Sequence, residues 1–348
     1  MKKSSDIRNV LRLSFVFTGG VIGAGFASGK EIYEFFIIHG NKWILGLLIC
    51  GVILSLSLFG IIKTANSNKE IHDYESFMAF AMGKTFGKIM ETICGIFLFV
   101  LFFAMVSASG SLAVEAFSVK YFIGVSVILG FCLLIFIKGD EGIVKLNSFV
   151  APVLIGGCIF LGINAILSKS EVPVFNLTGN SWLFSALLYS SYNIITIIPV
   201  IVPLRKLAET DKKAFLCGVA GGMGIFAIGL SIGAVLWFCK REISGNIPLL
   251  SALSDYRYTS VVYKIVLLSA IFTTAAANGY GAMNWMKSKV KRSGFSLYLI
   301  ILALGAVFSR IGFSGFVEVL YPLFGYLGIA QIIIILFLTF MKGNINCK

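Results

Sequence analysis

Ten separate stretches of this chain are apolar for long enough to cross a lipid bilayer, and nothing else in the sequence constrains the fold as much. A spanning helix needs about 20 mostly apolar residues. The stretches run roughly 10–38, 43–62, 89–115, 121–137, 143–167, 182–204, 214–239, 259–286, 295–311 and 314–341. Inside hydrocarbon no water satisfies the peptide groups, so each stretch must close its own hydrogen bonds as a helix. The expected fold class is all-α integral membrane. The connections are too short for a separate soluble domain, so residues 1–348 are read as a single transmembrane domain. Composition agrees, with only 13% charged residues against about 25% in soluble domains.

The charged minority is lopsided, 29 Lys+Arg against 16 Asp+Glu for a net +13. Such an excess raises nucleic acid as a partner until the basic residues are placed between the spans. With the N-terminus inside, the inner segments hold twenty of the 29, from Lys2, Lys3, Arg8 and Arg12 to Lys287, Lys289, Lys291 and Arg292. The outer segments are sparse. The positive-inside rule therefore expects both termini in the cytoplasm and a multi-pass protein of the plasma membrane. The charge is accounted for as topology, and no nucleic-acid partner is expected. The first apolar run, from Val10, is longer than the core of a signal peptide, so no cleaved leader is expected.

Seven cysteines stand singly, mostly inside apolar runs and without Cys-x-x-Cys spacing, which reads as small buried hydrophobes. His39 and His72 lie at the edges of apolar segments and offer no metal-ligand set. The nearest match to an intramembrane protease motif, Ile137-Lys138-Gly139-Asp140, lacks the first glycine. No enzymatic role and no organic cofactor are expected. A channel would show a repeated filter, and none is present.

Two spans carry residues that a regular membrane helix does not favour. The first contains Gly19, Gly20, Gly23, Gly25 and Gly29, and glycine weakens a helix by about 1 kcal/mol relative to alanine. The stretch reads either as a break facing a cavity or as two small-residue packing faces. The sixth span carries Tyr189-Ser-Ser-Tyr-Asn193 followed by Pro199 and Pro203, a polar cluster that is costly in hydrocarbon unless it faces a cavity or finds partners. It reads as a second interruption. Interruptions in helices 1 and 6 of ten occupy corresponding positions in two halves of five, the pattern of a 5+5 inverted repeat with halves at about 10–167 and 182–341. In the eighth span Ala270, Thr273 and Thr274 share one helix face. Their oxygens suit a hard monovalent cation, although membrane threonines also bond their own preceding turn. Two connections exceed a turn. Residues 72–88 pattern like an interfacial helix, and 240–258 like an outer lid, and each reads equally as an ordinary loop.

With these features the chain resembles the LeuT-fold transporters of the amino acid, polyamine and organocation superfamily, and most closely the YkvI-type amino-acid permeases. The local pieces that carry the resemblance are Gly23-Ala24-Gly25-Phe26-Ala27-Ser28-Gly29 and Ala270-x-x-Thr273-Thr274. The resemblance implies one Na⁺ as coupling ion, held by Gly19 and Ile22 of helix 1 and Ala270, Thr273 and Thr274 of helix 8. It implies an amino acid or similar zwitterion as substrate. The substrate carboxylate would lie on the backbone of Ala24, Gly25 and Phe26, and the rest against Tyr189, Ser190, Tyr192 and Asn193, with Ser107 completing the wall. Many members contact substrate through a helix 3 tyrosine, which is missing between Lys88 and Lys120. Lys30 and Glu318 occupy the places of an outer gate, with Glu31 and Glu34 as rival helix 1 charges and Arg310 as a rival partner. Proton-coupled relatives replace the sodium by a helix 5 lysine, and none stands between Lys145 and Lys169. Oligomeric state is not legible in the sequence.

The charge pattern carries a direct test: an epitope placed at either terminus should be detected only after cells are permeabilised. Detection at the surface of intact cells would invert the topology.

Overall fold

In the computed structural model, residues 2–167, 181–238, 249, 257–290, 294–311 and 313–341 are described, and among them all regular structure is helical. The first predicted span is divided into α1 (Lys2–Val21), α2 (Ala24–Ala27) and α3 (Lys30–Phe35). There follow α4 (Trp43–Ser67), α5 (Tyr74–Met82), α6 (Lys84–Phe117), α7 (Tyr121–Leu167), α8 (Trp182–Leu204) and α9 (Asp211–Phe238). The chain continues through α10 (Arg257–Lys289), α11 (Gly294–Phe308) and α12 (Phe313–Met341). Seven described helices are long and apolar enough to cross a membrane, and α11 adds a shorter apolar one.

The 47 residues of α7 would run about 70 Å as one straight helix, more than twice the hydrocarbon thickness of about 30 Å. They are interrupted at Gly139, whose φ of 58° and ψ of −139° are non-helical. That glycine falls between the fourth and fifth predicted spans. Residues 72–88, patterned for an interfacial helix, contain the short α5, capped at Asp73, whose side chain accepts from Ser76 N at 2.9 Å. Tyr74, Phe77 and Met78 of α5 are buried.

Between membrane helices there is little hydrophobic driving force, so close packing of small residues takes its place. Along α4 and α9, a side chain at Gly218 or Gly222 would collide with Ser55, and one at Gly51 would press on Gly222. The pair of helices is thus held backbone to backbone. Helix α8 sits at the centre, buried almost without interruption from Tyr189 to Val202.

The expected interruption of the sixth span is corrected here: α8 runs unbroken from Trp182 to Leu204 through the polar cluster. Its serine hydroxyls and its amide donate within the helix itself. Ser190 Oγ donates to Ala186 O at 2.8 Å, Ser191 Oγ to Leu187 O at 2.6 Å and Asn193 Nδ2 to Tyr189 O at 2.8 Å. This back-bonding removes the cost that made the cluster read as a break.

Five of the cysteines, Cys50, Cys94, Cys132, Cys158 and Cys217, are buried free thiols, and Cys239 and Cys347 lie outside the described residues. Most of the predicted lid at 240–258 lies outside them as well. Leu249 is described: it is buried and donates its N–H to Ser28 O at 3.2 Å, so this connection rests on the end of α2.

Gly29 links α2 to α3 with φ 82°, and a side chain there would also press on Leu249 Cδ1 at 2.6 Å. Gly83, at φ 79°, faces open space. Gly83→Ala should therefore cost only backbone strain, about 1 kcal/mol, and Gly29→Ala should cost about 1–3 kcal/mol more through the collision. Thermal unfolding of the purified variants checks the order, and equal melting points would contradict it.

Candidate functional site

Helix 1 comes apart because its glycines give up helix propensity over a short stretch. The last regular bond of α1 is followed by Gly23 N donating to Val21 O at 3.1 Å, and α2 restarts with Ala27 N on Gly23 O at 2.9 Å. Carbonyls at the end of α1 are left without their usual partners four residues ahead. The side chain of Thr274, on α10, meets them. Its Oγ1 donates to Ile22 O at 2.9 Å and lies 3.3 Å from Gly19 O.

Thr273 Oγ1 lies 3.1 Å from both Ser269 O and Ala270 O, and a side chain at Gly19 would come within 3.5 Å of Thr273 Cβ. The structure therefore brings together Gly19, Ile22, Ala270, Thr273 and Thr274. The two threonines and Ala270 are buried, and all five donor atoms are neutral oxygens. An additional oxygen escaped the sequence reasoning. Asn147 of α7 is fully buried, its Nδ2 donates to Ile143 O at 3.0 Å, and its Oδ1 has no hydrogen-bond partner among the described residues. A side chain at Gly19 would strike that Oδ1. The available signal was an amide inside an otherwise apolar span.

A second polar centre lies on the other side of the break, and its key residue was read only as a rival gate charge. Glu31 of α3 is 3% exposed. Its Oε2 accepts from Tyr192 Oη at 2.7 Å and lies 3.3 Å from Tyr189 Oη. Oε1 stands against Gly25, where any Cβ would strike it. The two phenols belong to an aromatic cluster: Phe35 lies 5.4 Å from Tyr189 and 5.9 Å from Tyr192, Phe26 lies 6.2 Å from Tyr189, and Tyr321 stacks on Tyr192 at 4.9 Å. Tyr189 and Tyr192 reach this centre because they sit three apart on α8 and share one face.

The remaining predicted residues divide. Ser190 and Asn193 are engaged within α8, as above. Ser107 of α6 lies 3.2 Å from Tyr121 Oη, which donates to Ser309 O at 2.8 Å. Among the described residues no hydrogen bond joins Ser107 to the helix 1 break. The phenol beside helix 3 comes from Tyr121, one residue past the stretch searched for it. Lys30 Nζ is 4.0 Å from Glu34 Oε1, and the side chains of Ala24 and Glu318 lie outside the described residues, so the predicted Lys30–Glu318 gate is not described.

No family model matches the chain. It is similar over 335 residues to the membrane protein YkvI of Bacillus subtilis (strain 168), with 27% identity covering 92% of this chain and 93% of that protein. Among solved structures it superposes on MhsT in complex with L-phenylalanine at a TM-score of 0.70, with 14% identity, covering 94% of this chain and 88% of that one. A Na⁺-coupled sialic acid symporter in a substrate-bound outward-open state gives a TM-score of 0.60 at 12% identity, covering 96% and 79%. The fold is thus that of the LeuT-like transporters, and the chain is an integral membrane protein resembling YkvI over nearly its whole length.

The contact between Gly25 and Glu31 predicts a compensating pair. Gly25→Ala should lower the melting temperature, by about 1–3 kcal/mol of overpacking, and Glu31→Ala should relieve the collision. A double-mutant cycle on thermal stability should show coupling of roughly 0.5–3 kcal/mol, and strict additivity would place the two groups apart.

Proposed function

We propose that this protein is a secondary active transporter of the plasma membrane that couples Na⁺ to symport of an amino acid or similar small zwitterion. Ten crossings form one domain of two inverted repeats, about 10–167 and 182–341, with both termini cytoplasmic. The observation that carries this reading is the Thr274 hydroxyl held between the Gly19 and Ile22 carbonyls. It brings the end of α1 onto a threonine pair, with an unpartnered amide oxygen of Asn147 close by.

The donor set fits sodium. All its atoms are hard, neutral oxygens, the class suited to a cation of that kind, and a neutral set lets the ion bind without trapping it as a buried carboxylate pair would. Gly19, Ile22, Ala270, Thr273 and Thr274 would hold the ion, which supplies the positive charge that fixes the α1 break against α10. The substrate sits beside the same break, between Ala24, Gly25 and Phe26 on one side and Tyr189 and Tyr192 on the other, with Ser190, Asn193 and Ser107 behind them. Lys30 and Glu318 close over it from outside. With Glu31 at Gly25, a carboxylate and the α2 backbone share one corner of this space.

Uptake by the purified protein in liposomes tests the coupling. Amino-acid uptake should depend on Na⁺. Thr273→Ala or Thr274→Ala should raise the Na⁺ concentration for half activation about tenfold or more, the size of one lost charge-directed contact. Both variants should keep the wild-type melting temperature within a few degrees. Unchanged Na⁺ activation in both would reduce the threonine face to helix packing.

A further inference from the structure

Glu31 is a carboxylate buried at membrane depth with no basic partner: among the described residues, no Lys, Arg or His nitrogen pairs with it. Lys30, its neighbour in the chain, reaches toward Glu34 instead. The two phenols that approach Glu31 both address Oε2, which leaves Oε1 toward the glycine at the break. An anion at such depth is costly unless a cation comes to it. The walls are of the kind that receives an organic cation, since the faces of Tyr and Phe rings attract ammonium groups within about 6 Å. Four rings, Phe26, Phe35, Tyr189 and Tyr192, are linked by ring-to-ring separations of 5.2–6.2 Å, and the phenols of two of them reach the carboxylate. A metal cation would meet one carboxylate and at most two phenol oxygens that are already engaged with it, short of the six or more oxygens a hard divalent ion takes.

We propose that Glu31 and its aromatic box form the subsite for an organic ammonium group, so that the transported molecule is recognised through its amine and need not carry a carboxylate. This assignment rests on the substrate site proposed above and gives it a charge preference. It reverses the polarity that helix 1 alone suggests. A carboxylate placed at Gly25 would meet the carboxylate of Glu31, whereas an ammonium there makes a charge-assisted bond to Oε1 and a contact with the rings. Gly25 lacks a side chain because that space belongs to the Glu31 head group and what it binds.

The test is thermal stabilisation of the purified full-length protein in detergent, with 150 mM NaCl as one arm and choline-free potassium buffer as the other. The probes form matched sets built on one skeleton: phenylalanine, phenethylamine and 3-phenylpropanoate, then leucine, 3-methylbutylamine and 4-methylpentanoate. Within at least one set, the amine and the zwitterion should stabilise the wild-type protein and the acid should not. Glu31→Gln keeps the shape and the phenol contacts but removes the charge, and it should weaken amine binding about tenfold or more while the Na⁺ response stays. The wild-type comparison decides the matter by itself if that variant does not accumulate. Stabilisation by the acids, or equal amine affinity in Glu31→Gln, overturns the subsite and points to a protonated Glu31. Silence of both amines and zwitterions, in a protein that still responds to Na⁺, also overturns it and leaves the sodium reading intact. Loss of the Na⁺ response with amine binding retained overturns the sodium reading alone.

Discussion

A peptide group in hydrocarbon must find a partner, and the break in helix 1 leaves carbonyls that its own helix cannot satisfy. Everything else at the centre of this molecule is arranged around that debt. Thr274 donates its one hydroxyl proton to Ile22 O from across the bundle and lies 3.3 Å from Gly19 O. Ser28 Oγ donates to Gly25 O at 2.9 Å, closing the short α2 from within, and Leu249 N–H caps Ser28 O from the outer connection. Neutral groups do this work at the α1 end, while a carboxylate stands beside α2. The break therefore separates two electrostatic environments only a few residues apart.

That separation bears on coupling. Gly19 and Ile22 face the oxygens of α10, and Gly25 faces Glu31, so one short piece of backbone serves both centres. If the proposed ion and substrate bind at these centres, each fixes the same residues, and the second ligand finds them already ordered. Such sharing is a route to reciprocal coupling free energy between an ion and a substrate, with no need for a distant relay. Helix α8 strengthens the link by being rigid. Its polar residues are satisfied internally, and Tyr189 and Tyr192 are left free to point their phenols at Glu31 rather than at their own helix.

Much of this was legible in the sequence, for physical reasons. Long apolar runs report the membrane, and five glycines in a row of eleven residues report a backbone that cannot stay helical. The Ala270-x-x-Thr273-Thr274 spacing placed its oxygens on one face, because helical periodicity is local, and the face does meet Gly19 and Ile22. What stayed hidden was decided by packing. The Tyr-Ser-Ser-Tyr-Asn cluster is as polar in a continuous helix as in a broken one, and only its hydrogen-bond partners separate the two cases. Glu31 reads as an exposed charge near a helix end until the rings of α8 and α12 are seen to enclose it. Asn147 was one amide in an apolar span, with nothing nearby in sequence to mark Gly19 as its neighbour.

The two ends of the bundle are closed by different physics. At the end that the charge pattern puts outside, closure is apolar: Gly29 passes so near Leu249 and Leu236 that no side chain fits there. The opposite end is held by charges and phenols. Lys289 Nζ lies 2.8 Å from Glu91 and 3.2 Å from Glu75, and Tyr280 bonds Asp140. Glu75, Glu91, Asp140 and Tyr280 line a cavity of about 370 Å³ together with Pro199 of α8 and Asn284 of α10. The Lys289–Glu91 pair is enclosed, with the Glu91 side chain 1% exposed, so parting it would leave a buried charge without its partner, which costs about 3–5 kcal/mol. The helices that carry these charges also pack closely there: a side chain at Gly87 of α6 would strike Met78 O of α5, and one at Gly95 would strike Trp285 of α10. The helix 1 break, by contrast, is clamped by backbone bonds to two other segments. The two places thus resist separation differently, the inner rim through an enclosed ion pair and close helix packing, and the break through peptide groups of α1 and α2 that depend on their neighbours.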